Sequence, residues 1–212
     1  MNLENRMSAR RLLLALALSL LAVRCTNEHG ASPTGIRLTA DQVVADSTQH
    51  TLQQDASAPA LETYHVSFWA RKGKASTVAV NYLPAGGPQF LQFDLTKESV
   101  ISGAGGQPIG KADSVLVTLD IDTLNLQVSF QPEGMKFSLK SPPTLTICYG
   151  NANPDLNGDG VVDATDTALQ QQVAIWFESS KGPSVKLISK NDTAGKCVSA
   201  RLYHFSQYAV SW

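Results

Sequence analysis

Ser114-Val115-Leu116-Val117-Thr118-Leu119-Asp120-Ile121-Asp122-Thr123-Leu124-Asn125-Leu126-Gln127-Val128-Ser129-Phe130 is the stretch that decides the fold. Val115, Val117 and Leu119 share one parity, and so do Leu124, Leu126, Val128 and Phe130. Apolar side chains at every second position mark strands with one face buried. Asp120 to Thr123 stands between the two runs, so the pair reads as a β-hairpin. Similar short runs lie on both sides: His65 to Ala70, Thr77 to Leu83, Phe90 to Leu95, Phe137 to Leu139, Leu145 to Tyr149, Ala174 to Glu178, Val185 to Ser189, Cys197 to Tyr203 and Ser206 to Trp212. Gly/Pro turns such as Pro84-Ala85-Gly86-Gly87-Pro88 punctuate them. Strands about every ten residues with period-two alternation predict an all-β protein, an antiparallel β-sandwich.

One segment specifies a chemistry. In Asp155-Leu156-Asn157-Gly158-Asp159-Gly160-Val161-Val162-Asp163-Ala164-Thr165-Asp166, oxygen side chains occupy positions 1, 3, 5, 9 and 12, with Gly at position 6. This is the layout of an EF-hand-type calcium loop. Ca²⁺ is a hard cation that takes about six to eight oxygens at roughly 2.3–2.6 Å. Asp155, Asn157, Asp159 and Asp166 would supply side-chain oxygens, Val161 its backbone carbonyl, and Asp163 an oxygen directly or through water. Position 12 is Asp rather than Glu, a strand-like run precedes the loop, and there is one copy. Ala164 to Gln172 lacks Gly and Pro and starts with Asp and Thr, so one short helix is expected after the calcium loop. Loop plus exiting helix resembles one repeat of a dockerin over Asp155 to Gln172, which implies the metal but not the cohesin partner. The alternative is an Asp/Asn/Gly surface turn.

The chain has 212 residues, 43% of them hydrophobic, with a formal net charge of −1. One domain is the natural count after a targeting segment. Charge balance shows no basic footprint for nucleic acid and gives no reason to expect an acidic or basic partner. Arg6, Arg10 and Arg11 precede an apolar run, Leu12 to Val23, that is too short to span a bilayer. Residues 1–24 therefore read as a signal peptide. Cys25 follows, which resembles a bacterial lipoprotein signal in which that cysteine is lipidated, although Arg24 stands where a small residue is usual. Residues 25–62 carry no aromatic side chain and read as a flexible tether, with a short strand around Ile36 to Leu38. The sandwich is expected over 63–212, with the calcium loop inserted at 151–172.

Phe130-Gln131-Pro132-Glu133-Gly134-Met135-Lys136-Phe137, with Pro143-Thr144-Leu145-Thr146-Ile147, resembles the central motif of ZU-type β-sandwiches. These domains are shared by zona-occludens proteins, netrin receptors and ankyrins. His204-Phe205-Ser206-Gln207-Tyr208-Ala209-Val210 is similar to their closing strand. The resemblance spans about Val115 to Trp212 and implies interaction rather than catalysis.

In some members a His-Phe-Ser triplet cleaves its own backbone. Here Ser206 would be the nucleophile, Phe205 would carry the scissile carbonyl and His204 would be the base. Apolar parity slips across this triplet, since Leu202, Tyr208 and Val210 are even while Tyr203 and Phe205 are odd, which suggests a β-bulge. The competing reading is a closing strand with Phe205 in the core. Cys148 and Cys197 lie on strands and are either a pair formed after export or two buried thiols.

The leading expectation is a non-catalytic, calcium-binding β-sandwich of the cell envelope. It is lipid-anchored at the outer membrane or surface, or else secreted or periplasmic, with an unidentified protein or envelope partner and no nucleic acid. A self-cleaving sandwich and a dockerin-like adhesion module are its rivals.

Overall fold

A computed structural model describes residues 49–111, 113–179 and 182–212. The expected signal segment, Cys25, the strand expected at Ile36 to Leu38 and the part of the expected tether up to residue 48 lie outside the described residues.

The described chain is an all-β sandwich with one short helix. Its strands are β1 (His65–Arg71), β2 (Ser76–Asn81), β3 (Gln89–Leu95), β4 (Val100–Ser102), β5 (Ser114–Asp122), β6 (Gln127–Gln131), β7 (Lys136–Phe137) and β8 (Thr144–Cys148). The helix α1 (Ala164–Gln170) follows, then β9 (Ala174–Glu178), β10 (Val185–Lys186), β11 (Ser189–Asp192), β12 (Cys197–Arg201) and β13 (Gln207–Ser211). A six-stranded sheet has the order β1-β5-β6-β13-β9-β10, and a five-stranded sheet has the order β11-β12-β8-β3-β2. A small β4-β7 ribbon accompanies them.

The parity of the hairpin sets the core. Val117, Leu119 and Ile121 of β5 and Val128 and Phe130 of β6 face inward and are buried. Phe93, Leu145, Ile147 and Val198 of the five-stranded sheet meet them. The hairpin turn lies later than expected. β5 continues to Asp122, whose carboxylate accepts from the N–H groups of Leu124 and Asn125 and from the Asn125 side chain. Leu124 therefore sits in the turn and is exposed rather than joining the buried face.

Three expectations are corrected. Residues 49–62 are not tether. Leu52 and Leu61 are buried in the core, Leu52 N–H donates to the Val210 carbonyl at 2.9 Å, and His50 stacks on Trp212. The absence of aromatic residues hid two leucines spaced to reach the sandwich. The parity slip near Phe205 is not a bulge inside one strand. β12 ends at Arg201 in the five-stranded sheet and β13 starts at Gln207 in the six-stranded one, so residues 202–206 cross between sheets. The run Val185 to Ser189 also divides, because the chain changes sheets between β10 and β11.

Cys148 and Cys197 face each other across β8 and β12 and form a disulfide with a sequence separation of 49. The bridge encloses the expected calcium loop, α1 and β9 to β11. Closing a loop of that length removes chain entropy from the unfolded state worth about 4 kcal/mol. Denaturant unfolding with and without reductant should show a loss of that order, with native far-ultraviolet dichroism retained before the transition. An unchanged midpoint would show that the bridge contributes nothing to stability.

Candidate functional site

The twelve-residue loop connects β8 of one sheet to β9 of the other. Asn153 starts it by accepting from Asp155 N–H through its side chain. Leu156 is anchored against the core, while Val161 and Val162 are exposed. Gly158 and Gly160 have φ of +73° and +86°, a left-handed conformation that costs glycine little. These two residues turn the chain so that loop N–H groups point inward at the carboxylates.

Asp155 accepts from Gly158, Asp159 and Gly160 N–H at 2.8, 3.2 and 2.8 Å. Asp159 accepts from Val161 N–H and from the Asn157 side-chain amide. Asp166 closes the loop. Its carboxylate accepts from Leu156 and Asn157 N–H at 2.7 and 3.2 Å, joining position 12 to positions 2 and 3. Its other oxygen accepts from Asp163 N–H at 2.9 Å. Asp163 in return caps α1 by accepting from the backbone of Thr165 and of Asp166, so the two acids form a capping box. Asp166 is 4% exposed. The Asp163 N–H, followed by those of Leu156 and Asn157, holds its carboxyl below the ordinary value, against the opposing effect of burial.

Asp155, Asp159, Asp163 and Asp166 lie in a segment without Lys or Arg, and none of them forms an ion pair among the described residues. The donor set is all oxygen, the chemistry Ca²⁺ prefers. Among the described residues, however, no group of three or more His, Cys, Asp or Glu side chains stands gathered as a cation cage. The carboxylates face the loop's own N–H groups, and the Asn157 amide nitrogen points at Asp159. A carboxylate has about four lone-pair directions, so Asp155 and Asp166 keep acceptor capacity beyond the three N–H groups each one holds.

The His204-Phe205-Ser206 triplet occupies the final sheet crossing. Phe205 is fully buried, stacked on Phe130 at 4.7 Å and edge-on to Phe137 at 4.8 Å. Its N–H donates to the Met135 carbonyl and its carbonyl accepts from Gly134 N–H at 3.0 Å. The His204 Nδ1 lies 3.5 Å from that same carbonyl oxygen, and the ring packs edge-on against Phe177. Burial pushes the His204 imidazole below its usual value, partly offset by the Phe205 carbonyl and Glu133. The Tyr208 hydroxyl donates to the His204 carbonyl at 2.6 Å, and burial pushes that hydroxyl up. His204 and Phe205 thus have places in the packing, and Ser206 is buried with its carbonyl accepting from Phe130 N–H. No family model, curated protein or solved structure matches the chain.

Two outcomes are expected. The Phe205–Ser206 bond stays intact, because the Phe205 N–H and carbonyl are both held in the sheet crossing. Intact-mass measurement after days at room temperature should show no loss of Ser206 to Trp212, and such a loss, abolished by Ser206→Ala, would overturn this. His204 is expected to make stability depend on pH. The unfolded chain takes a proton near 6.5 that the folded chain refuses, so this contribution is full above 6.5 and falls as pH drops towards the depressed folded value. Denaturant midpoints of wild type and His204→Gln across that range should diverge, with the variant less pH-dependent.

Proposed function

We propose that this chain is an exported, lipid-anchored, non-catalytic β-sandwich of ZU type. Its loop Asp155 to Asp166 binds one Ca²⁺ as a structural clamp. The observation that carries the reading is the closure of position 12 onto positions 2 and 3 through Asp166. It closes the ends of a twelve-residue loop that carries four aspartates and no Lys or Arg. Like charges held in one short loop repel, and a divalent ion removes that cost. Asp155, Asn157, Asp159 and Asp166 would hold the ion with the Val161 carbonyl, and Asp163 would reach it directly or through water. Small rotations of the carboxylates off their N–H partners, and of the Asn157 amide to present its oxygen, complete the set. The ion would pin the crossover between the two sheets and so steady a surface used for interaction in the cell envelope.

An exported protein meets abundant calcium, so an affinity of about 10⁻⁴–10⁻³ M suffices. At ten times the dissociation constant, binding to the folded state alone adds about 1.4 kcal/mol of stability. Calorimetric titration and a thermal shift should both report one Ca²⁺, with Mg²⁺ a poor competitor and Asp159→Ala silent. Absence of both signals in wild type would sink the reading. Intact mass of membrane-extracted protein tests the anchor, since a mature chain starting anywhere but a lipid-modified Cys25 contradicts it.

A further inference from the structure

At the end of the five-stranded sheet away from the calcium loop, three turns are tied together. Gly73 N–H donates to the Lys97 carbonyl at 3.1 Å, and Lys72 N–H to the Asp113 carbonyl at 3.4 Å. The Lys72 ammonium donates to the Ile109 carbonyl at 2.7 Å, which holds its stem across the gap. Arg71, Lys72, Lys74, Lys97 and Lys111 line the resulting groove together with Ile101, and Glu98 is the acid in its lining. Glu98 lies 3.6 Å from Lys97 in an exposed pair, which leaves the groove strongly cationic. Asp113, behind the groove, turns its carboxylate to Gly110 N–H.

Exposed large apolar side chains stand in this groove and on the elements that border it. Ile101 is 41% exposed. Leu139, 65% exposed, sits on the turn that Ser99 holds through Ser138 N–H and the Ser141 carbonyl. On the outer face of β1, Trp69 precedes Arg71 by two residues and pairs directly across from Leu116, and they are 63% and 46% exposed. Arg71 and Trp69 therefore point the same way about 7 Å apart along the strand.

We propose that this pole docks on an anionic lipid surface, its cations on the headgroups and Trp69, Leu116, Ile101 and Leu139 at the headgroup–acyl boundary. Cations alone would suit any polyanion. The four apolar side chains gain nothing from a nucleic acid backbone or an acidic polysaccharide, whereas partial insertion between headgroups buries them. Indole is the side chain best suited to that boundary, with an apolar body and a polar N–H. The surface does not depend on the calcium loop, which lies at the other end of the sheet.

The full chain carrying Cys25→Ser, so that no lipid anchor holds it, mixed with vesicles whose acyl chains carry bromine, tests this through quenching of Trp69 fluorescence. Trp69 is 63% exposed, Trp176 is 2% exposed, and Trp212 is half-buried and stacked on His50, so the quenching is read as the difference between wild type and Trp69→Phe. Phosphatidylcholine vesicles containing phosphatidylglycerol should quench, phosphatidylcholine alone should not, and high salt should reverse the effect. The signal should vanish in Trp69→Phe and survive Asp159→Ala. Each cation near such a surface is worth roughly fivefold in partitioning, so Lys72→Gln, Lys74→Gln, Lys97→Gln and Lys111→Gln together should cost on the order of 10³-fold. Ile101→Ser with Leu139→Ser should weaken binding roughly tenfold or more. Equal quenching by neutral and anionic vesicles, or none by either, overturns the proposal. So does equally tight binding of soluble polyphosphate that is unaffected by the two serine substitutions, which would assign the groove to a soluble polyanion.

Discussion

The architecture depends on one contact group, the Phe205 ring stacked on Phe130 and met by Phe93 from the opposite sheet. Aromatic rings at these separations add to the free energy of burying their area, and removing such a ring typically costs about 3–5 kcal/mol. Position matters as much as area here. Phe205 lies where the chain passes from β12 to β13, and β13 is then received between β6 and β9 at the middle of the six-stranded sheet. The backbone pairs Phe205 to Met135 and Gly134 to Phe205 lock that crossing to the turn before β7. The last strand is thus an interior strand, and the amino-terminal segment around Leu52 closes over its end through Val210 and Trp212.

A second constraint acts at the end that carries the loop Asp155 to Asp166. The disulfide ties β8 to β12, and the loop leaves β8 just beyond the bridge. Tyr149 is fixed there by its N–H to the Lys196 carbonyl and its hydroxyl to Asn191. A covalent staple and a rigid exit let the following twelve residues hold a tight carboxylate-rich turn without a large core of their own. In the proposed function, Ca²⁺ relieves the charge that this compactness creates.

Much of the strand set was legible because inward and outward residues alternate over five or more positions, as in Ser114 to Asp122. The tight turn of Asp155 to Asp166 was legible because its signals, glycine in register and oxygen at fixed offsets, are local. Features that depend on which sheet a residue joins were not. The slip at Tyr203 to Ser206 has the same one-dimensional pattern whether a strand bulges or changes partner. The packed segment 49–62 was hidden because Leu52 and Leu61 are isolated in a polar stretch, and burial there comes from pairing with β13, with the segment before the loop and, at Leu61, with Tyr82 just beyond β2. The cationic groove was invisible for a related reason. Its cations come from 71–74, 97 and 111, and a net charge of −1 averages them away.

The central claim, that Asp155 to Asp166 is a calcium site built into a sheet crossover, is tested most directly by a crystal structure grown with Ca²⁺. The account predicts one ion enclosed by Asp155, Asn157, Asp159, the Val161 carbonyl and Asp166, with Asp163 or a water completing the shell, at about 2.3–2.6 Å. A loop whose carboxylates still face their own N–H groups in saturating calcium, with no ion between them, would contradict it.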